Sequence, residues 1–282
     1  MTVRLGIAEA AAALAKTSDT PRLDAELLMA GLLGVSRGEM LLRRMDTAMP
    51  PGMVHLVRRR LAHEPVAYIL GEANFRGLTL QVSPAVLIPR GDSETVVEAA
   101  LEAKPGARRI LDCGTGSGAL LLALLAELSE ATGVGIDASP GAVSNAQSNA
   151  SLLGLSDRVQ IELADWREPS WRDGLGRFDL IVANPPYVED GAPLDPTVRD
   201  HEPAAALFAG PDGLTAYRAL VPQLGALLEP GGIAVLEIGH TQAKAVTALA
   251  TGANMAATLR RDLAGRPRAL VLSIKAWQTP PR

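Results

Sequence analysis

The 282-residue chain is 48% hydrophobic and 21% charged, the composition of a globular protein and not of a disordered one, and its length suits one large domain or two modest ones. A net charge of −4 argues against general nucleic-acid affinity, although the charge is uneven, with 9 Lys/Arg against 7 Asp/Glu in residues 1–70 and 18 against 24 in the remainder. The single cysteine, Cys113, excludes an intrachain disulfide and fits a reducing compartment.

The N-terminal stretch TVRLGIAEAAAALAK carries Glu9 within its apolar part and reads as an amphipathic helix, not a signal peptide. The most apolar run, residues 119–126, is far too short to span a bilayer. A soluble, cytoplasmic protein with no membrane partner is expected.

Residues 1 to about 70 read as all-helical. Thr20-Pro21 is an N-cap followed by a first-turn proline, opening a helix that ends at Gly34. Ser36 and Glu39 have capping-box spacing. Pro50-Pro51 opens a further helix that Pro65 ends. Arg43, Arg44, Arg58, Arg59 and Arg60 are expected either on a solvated helix face or, less favoured, on a basic face for an acidic partner. Residues 74–82 read as a β-hairpin with Gly77 near its turn. The domain junction falls there, giving a helical domain over 1–72, a hairpin linker over 73–90 and a larger domain over 91–282.

A helix is expected over 92–103. Strands are expected at 109–112, 133–137, 158–163, 178–183, 232–238, 255–260 and 268–275. Helices are expected at 119–128, from Ser139-Pro140 to 153, at 215–228 with Pro222 interrupting it, and from Gln242. Alternation of strand and helix predicts an α/β fold with a mainly parallel sheet covered on both faces. Its ligands should sit beyond the carboxyl ends of the strands. Residues 188–212 form a Pro- and Gly-rich stretch, expected to be a substrate-side loop because it follows Tyr187 directly.

Two motifs carry the chemistry. The first is Asp112-Cys113-Gly114-Thr115-Gly116-Ser117-Gly118, a glycine-rich turn between a strand and a helix. Its spacing is G-x-G-x-G, not the dinucleotide fingerprint, and no Walker A lysine follows. Asp137 ends the next strand, where an acid reaches ribose hydroxyls or caps the following helix. Asp112 could face a ligand's ammonium group or satisfy loop amides. Trp166 could flank an adenine ring with Asp165 accepting from its amino group, or be a half-buried edge residue. Together these describe an adenosine ligand without a pyrophosphate, which S-adenosylmethionine fits.

The second motif is Asn184-Pro185-Pro186-Tyr187, at the end of the apolar run FDLIVA. Two prolines offer no N–H to a ladder and have fixed φ. An amide oxygen and stiff carbonyls then remain as acceptors for a planar N–H₂ group. Asn184 and Pro185 would each accept one hydrogen, and Tyr187 would cover the flat face. No His or carboxylate near this motif is evident from sequence. Spacing supports neither a metal site nor a nucleophilic triad: His55, His63, His201 and His240 lack ligand spacing and G-x-S-x-G is absent.

The segments LDAELLMAGLLG, EPVAYILG, VLIPR, ILDCGTGSGAL, FDLIVANPPYV, GPDGL with Tyr217-Arg218, and PGGIAVLEIGH with Gln242 together resemble the HemK/PrmC family, peptide chain release factor glutamine N5-methyltransferases. The resemblance covers nearly the whole chain. It implies a class I, Rossmann-like fold with a seven-stranded sheet, an N-terminal helical domain for substrate recognition, and a monomeric enzyme. It implies methyl transfer from S-adenosylmethionine, with S-adenosylhomocysteine as product, to the glutamine of the Gly-Gly-Gln motif in class I release factors, without direct nucleic-acid binding. Residue by residue it puts the cofactor on Gly114, Thr115, Gly116, Ser117, Gly118, Asp137, Trp166 and Asn184. The glutamine amide falls on Asn184, Pro185, Pro186 and Tyr187, with Asn184, Pro185 and Tyr187 catalytic. Cys113 stands where Leu is common, and Gly91 follows Arg90 where Pro is common. The alternatives are a methyltransferase of another amino group, such as adenine N6 or a ribosomal-protein glutamine, or a non-catalytic adenosine-binding or ribosome-docking module.

Overall fold

The computed structural model describes residues 1–275; the last seven residues of the larger domain expected above, 276–282, lie outside the described residues. The chain divides into two compact units, Met1–Glu72 with Pro193–Glu202, and Ala73–Ala192 with Pro203–Arg282.

The first unit contains five consecutive helices: α1 (Val3–Leu14), α2 (Pro21–Leu33), α3 (Arg37–Arg43), α4 (Met53–Leu61) and α5 (Val66–Leu70). In α1 the buried Val3, Ile7, Ala10 and Leu14 recur at helical spacing and form one stripe. They meet Leu28 and Met29 of α2, Met40 of α3 and Met53 of α4 in a single core. Ser36 caps α3 by accepting from the Glu39 amide at 3.1 Å. The helix α2 ends on Gly34, whose φ of 63° is the left-handed C-cap that glycine adopts without a Cβ penalty.

Three expectations are corrected here. Thr20 does not cap α2 through its side chain; its hydroxyl donates instead to Asp24 Oδ1 at 3.1 Å. The helix α4 does not open at Pro50-Pro51 but at Met53, because Gly52 turns the chain with φ 106°. The arginines are not one solvated face either. Arg60 is buried and donates from Nε to Asp24 Oδ2 at 2.7 Å. Arg59 binds both oxygens of Glu64, at 2.7 and 2.5 Å.

In the second unit, β1 (Glu72–Phe75) and β2 (Leu78–Gln81) form a hairpin. Its two turn residues, Arg76 and Gly77, both have positive φ, 46° and 77°, as a two-residue hairpin turn of matching twist requires. A 3₁₀ turn, Gly91–Ser93, precedes α6 (Glu94–Ala103), so the helix expected from 92 starts two residues later. Then follow β3 (Arg109–Cys113), α7 (Ala119–Glu127), β4 (Thr132–Asp137), α8 (Pro140–Leu152), β5 (Val159–Leu163) and β6 (Phe178–Ala183). Two short helices lie in residues 188–212, the stretch expected to be a substrate-side loop: α9 (Pro196–Arg199), which belongs to the first unit, and α10 (Ala204–Leu207). The chain closes with α11 (Thr215–Leu227), β7 (Leu228–Glu237), α12 (Ala243–Gly252), β8 (Met255–Arg261) and β9 (Pro267–Ile274). The helix α11 runs unbroken through Pro222, which faces solvent, where the carbonyl freed one turn earlier is not stranded in the core.

The strands form one seven-stranded sheet in the order β5-β4-β3-β6-β7-β9-β8. The first five pair in parallel, and β9 runs antiparallel to both its neighbours. Alternate residues serve opposite faces. Leu180, Val182, Ile233 and Val235 enter one core, while Ile181, Ala183, Ala234 and Leu236 enter the other. This double coverage explains why the strands read as continuous apolar runs. Strand order reverses between β3 and β6, the position at which open α/β sheets place ligands. Among the described residues, no helix is long and apolar enough to cross a membrane.

Candidate active site

β3 and β6 pair in register, with Cys113 opposite Ala183. Gly114 and Asn184 therefore leave the sheet side by side. A cavity of about 510 Å³ opens there, within the range of small-molecule sites. Gly114, Thr115, Gly116, Ser117, Asp137, Trp166, Asn184 and Pro186 line it, so motifs more than 60 residues apart meet on one wall. Gly118, Pro185 and Tyr187 do not reach the lining.

The glycine loop is held from β4. The amides of Gly114 and Thr115 both donate to the Ile136 carbonyl at 2.9 Å, and the Gly116 amide donates to Asp137 Oδ2 at 2.9 Å. Asp137 also accepts from the Ser139 amide through Oδ1 at 2.9 Å, so it braces the loop and the start of α8 together. Burial raises its pKa, and these backbone donors oppose that rise. A carboxylate has about four acceptor positions, so capacity for ligand hydroxyls remains after two amides.

Gly114 has φ 76°, and a Cβ there would come within 3.1 Å of the Trp166 ring. Only glycine lets the indole lie this close to the loop. Gly118 serves packing instead: a Cβ would meet Leu122 of α7 at 2.8 Å. Asp112 is not in the cavity wall; its Oδ2 accepts from the Thr115 hydroxyl at 2.8 Å. Its Oδ1 has no partner among the described residues, and burial pushes the carboxyl up to about 7. Asp165 lines the cavity, but its carboxylate is already engaged: Arg167 donates from Nε at 2.9 and 3.0 Å and from Nη2 at 2.6 Å. The expected adenine contact therefore competes with an existing ion pair.

At the second motif, Asn184 Nδ2 donates to Ser93 Oγ at 3.4 Å, which leaves Oδ1 as the acceptor on its other side. Pro185 is buried, and among the described residues nothing donates to its carbonyl. The Tyr187 backbone is clamped by Gln242, whose Nε2 donates to the Tyr187 carbonyl at 3.0 Å and to that of Gly213 at 3.1 Å. Tyr187 OH donates to Glu237 Oε1 at 3.4 Å. Burial and the Glu237 charge push the phenol up to about 12, so it stays a donor at any working pH.

The structure adds a residue that the sequence did not show beside the motif: the carboxyl of Glu237, at the end of β7 and only 1% exposed. Its Oε2 accepts from Ser93 Oγ at 2.5 Å. The sequence signal was an acid closing the apolar run GGIAVLE, where burial makes a charge costly unless it is used. Ser93 gave no comparable signal.

Comparisons with known proteins place the chain in a family. Residues 7–71 match the family model described as PrmC N-terminal domain, and residues 105–260 match Methyltransferase domain. A release factor glutamine methyltransferase of Caulobacter vibrioides is 41% identical over 91% of this chain and 90% of its own length. Another from Moorella thermoacetica is 42% identical over 95% of this chain and 97% of its own. Among solved structures, a 16S rRNA N2 G1207 methyltransferase of Thermus thermophilus, in complex with AdoMet and guanosine, superposes with a TM-score of 0.52 at 23% identity, covering 72% of this chain and 50% of that one; this likeness concerns the fold. With relatives so similar over nearly its whole length, the chain belongs to the release factor glutamine methyltransferase family.

Proposed function

We propose that the chain transfers a methyl group from S-adenosylmethionine to the side-chain amide nitrogen N5 of the glutamine in the Gly-Gly-Gln motif of class I peptide chain release factors, in the cytoplasm. One observation carries the reading: Asn184 and the glycine loop leave adjacent, in-register strands and line the same cavity. Family membership supports the substrate class.

The residues fit the cofactor. Gly114 to Ser117 bring backbone close, Asp137 retains acceptor capacity for ribose hydroxyls, and the Trp166 ring offers a flat apolar wall. When bound, S-adenosylmethionine supplies an electrophilic methyl group on a sulfonium and leaves as S-adenosylhomocysteine.

The amide nitrogen of glutamine is a weak nucleophile because its lone pair is delocalised into the carbonyl. Asn184 Oδ1 and the Pro185 carbonyl are two acceptors on a stiff corner, and each can take one N–H of the incoming carboxamide. Accepting both raises electron density on nitrogen and holds its plane, while Tyr187, fixed by Gln242 and Glu237, keeps the corner rigid. Orientation of this kind can supply roughly 7–11 kcal/mol of the barrier. The N–C bond forms as the S–C bond breaks, and the surplus proton leaves nitrogen for water.

Asp137→Ala is expected to weaken cofactor binding by roughly 1–3 kcal/mol, for lost charged hydrogen bonds. Calorimetry on the purified variant checks this, and an unchanged Kd would remove Asp137 from the ribose side. The function itself is tested by incubating the protein with methyl-labelled cofactor and a purified release factor, then locating the label by mass spectrometry. Label on the Gly-Gly-Gln glutamine, absent from a Gln-to-Asn release factor, is expected. Label appearing instead on duplex DNA or on a ribosomal protein would transfer the reading to another amino group.

A further inference from the structure

Glu237 is only 1% exposed, and three side chains from different parts of the second unit converge near it. Ser93, from the turn before α6, gives its hydroxyl hydrogen to Oε2 at 2.5 Å. Tyr187, from the loop after β6, donates to Oε1 at 3.4 Å. Asn184 reaches the same Ser93 oxygen through Nδ2 at 3.4 Å. Ser93 is itself only 5% exposed, so no bulk solvent competes along this path. A neutral side chain would fill the space at lower cost.

We propose that Glu237 acts through Ser93 as a positioning residue that fixes which way the Asn184 amide points, so that Oδ1 and not the NH₂ group faces the substrate carboxamide. This rests on the methyl-transfer reading above.

The polarity follows from the donor inventory. An ionised carboxylate only accepts. Ser93 must then point its single O–H at Glu237, which leaves a lone pair toward Asn184. Only the NH₂ end of Asn184 can satisfy that lone pair, so the oxygen end is turned to the cavity. Once Glu237 carries a proton, it can donate to Ser93 Oγ. Ser93 is then free to donate to Asn184 Oδ1, and the amide turns over. An NH₂ group would then face the N–H groups of the substrate, donor against donor.

Glu237 is poised for this change. Burial pushes its carboxyl up to about 7, while the Ser93 hydroxyl, the Arg268 guanidinium of β9 and the Tyr187 hydroxyl hold it down and the Asp92 carboxylate pushes it further up. Arg268 is itself paired with Asp92 at 2.7 Å. Tyr217 of α11 donates to the Glu237 backbone carbonyl at 2.8 Å. Because the folded pKa is raised, the catalytically oriented, ionised form is lost as pH falls through about 7.

The test measures single-turnover methyl transfer to a release factor from mildly acid to mildly alkaline pH, for the wild type, Glu237→Gln, Ser93→Ala and Ser93→Thr, with calorimetric cofactor affinity in parallel. The wild-type rate is expected to fall on the acid side with a midpoint near 7. Glu237→Gln should lose that dependence and run roughly 10–100-fold slower at alkaline pH, as for other partners that orient a contacting group. Its cofactor affinity should stay close to that of the wild type, which also reports a folded protein. Ser93→Ala should lose the acid limb although Glu237 is intact, and Ser93→Thr, which keeps the hydroxyl, should restore it. An acid limb that survives in Glu237→Gln would assign it elsewhere, Asp112 being the other carboxyl near 7, and would overturn the proposal. So would a wild-type rate in either Glu237→Gln or Ser93→Ala. No transfer by the wild type at any pH would instead overturn the methyl-transfer reading, and the positioning role with it.

Discussion

Asn184→Ala should lower the single-turnover rate of methyl transfer by roughly 10²–10³-fold, the loss expected from one preorganised polar partner at a reacting group. The alanine removes the Oδ1 acceptor and leaves the Pro185 carbonyl to hold the amide alone, so the nitrogen is free to rotate out of line. Affinity for the cofactor should change far less, because the glycine loop, Asp137 and Trp166 are untouched and all line the cavity. The split matters: a fall in affinity that matched the fall in rate would make Asn184 a cofactor residue first. A variant that retains nearly the wild-type rate would remove it from the chemistry.

The second large effect concerns stability. Asp24→Ala should destabilise the first unit by about 3–5 kcal/mol, the cost of breaking a buried ion pair by removing one partner. Asp24 and Arg60 side chains are each 9% exposed, and Arg60 Nε lies 2.7 Å from Asp24 Oδ2. Asp24 also accepts from Ser18 and Thr20, at 2.7 and 3.1 Å, but those hydroxyls can turn to water, so the buried Arg60 is the donor its loss strands. Urea unfolding, followed through amide exchange of residues in α1 and α2, measures this. A loss below about 1 kcal/mol, as for an exposed pair, would show that solvent already screens the site. The double variant Asp24→Ala, Arg60→Met should recover much of the loss, since no charge is then left buried without a partner.

These two residues differ in how legible they were. Asn184 stands in a motif whose prolines and strand context can be read locally. Asp24 and Arg60 are 36 positions apart, and a run of arginines at 58–60 looks the same whether it faces water or an acid. The same limit applies at Glu237: nothing local says that Ser93, 144 positions away, meets it. The parallel sheet was readable because its central strands are apolar on both faces, a pattern that requires helices on both sides. The end of α2 was readable because Gly34 does what only glycine does cheaply. The start of α4 was misjudged because Pro50-Pro51 looked like a helix opening, while the turn at Gly52 delays it.

The stretch after Tyr187, expected on the substrate side, has internal structure that the sequence did not show. Its prolines and glycines suggest an irregular loop, yet its base is zipped: the Val188 amide donates to the Leu207 carbonyl at 2.9 Å, and the Ala209 amide to that of Val188 at 2.8 Å. Residues Pro193–Glu202 then belong to the first unit, where the His201 ring nitrogen Nε2 meets the Ala62 carbonyl at 3.0 Å. Contacts so distant in sequence leave no local pattern. The ion pair of Asp165 was legible locally, since Arg167 stands only two positions on.

A crystal structure of the protein with S-adenosylhomocysteine and a peptide carrying Gly-Gly-Gln tests the central geometry most directly. The glutamine nitrogen should lie within hydrogen-bond distance of both Asn184 Oδ1 and the Pro185 carbonyl, with the thioether sulfur on its open face. A side-chain amide bound elsewhere, or an Asn184 that presents its nitrogen to the peptide, would contradict it.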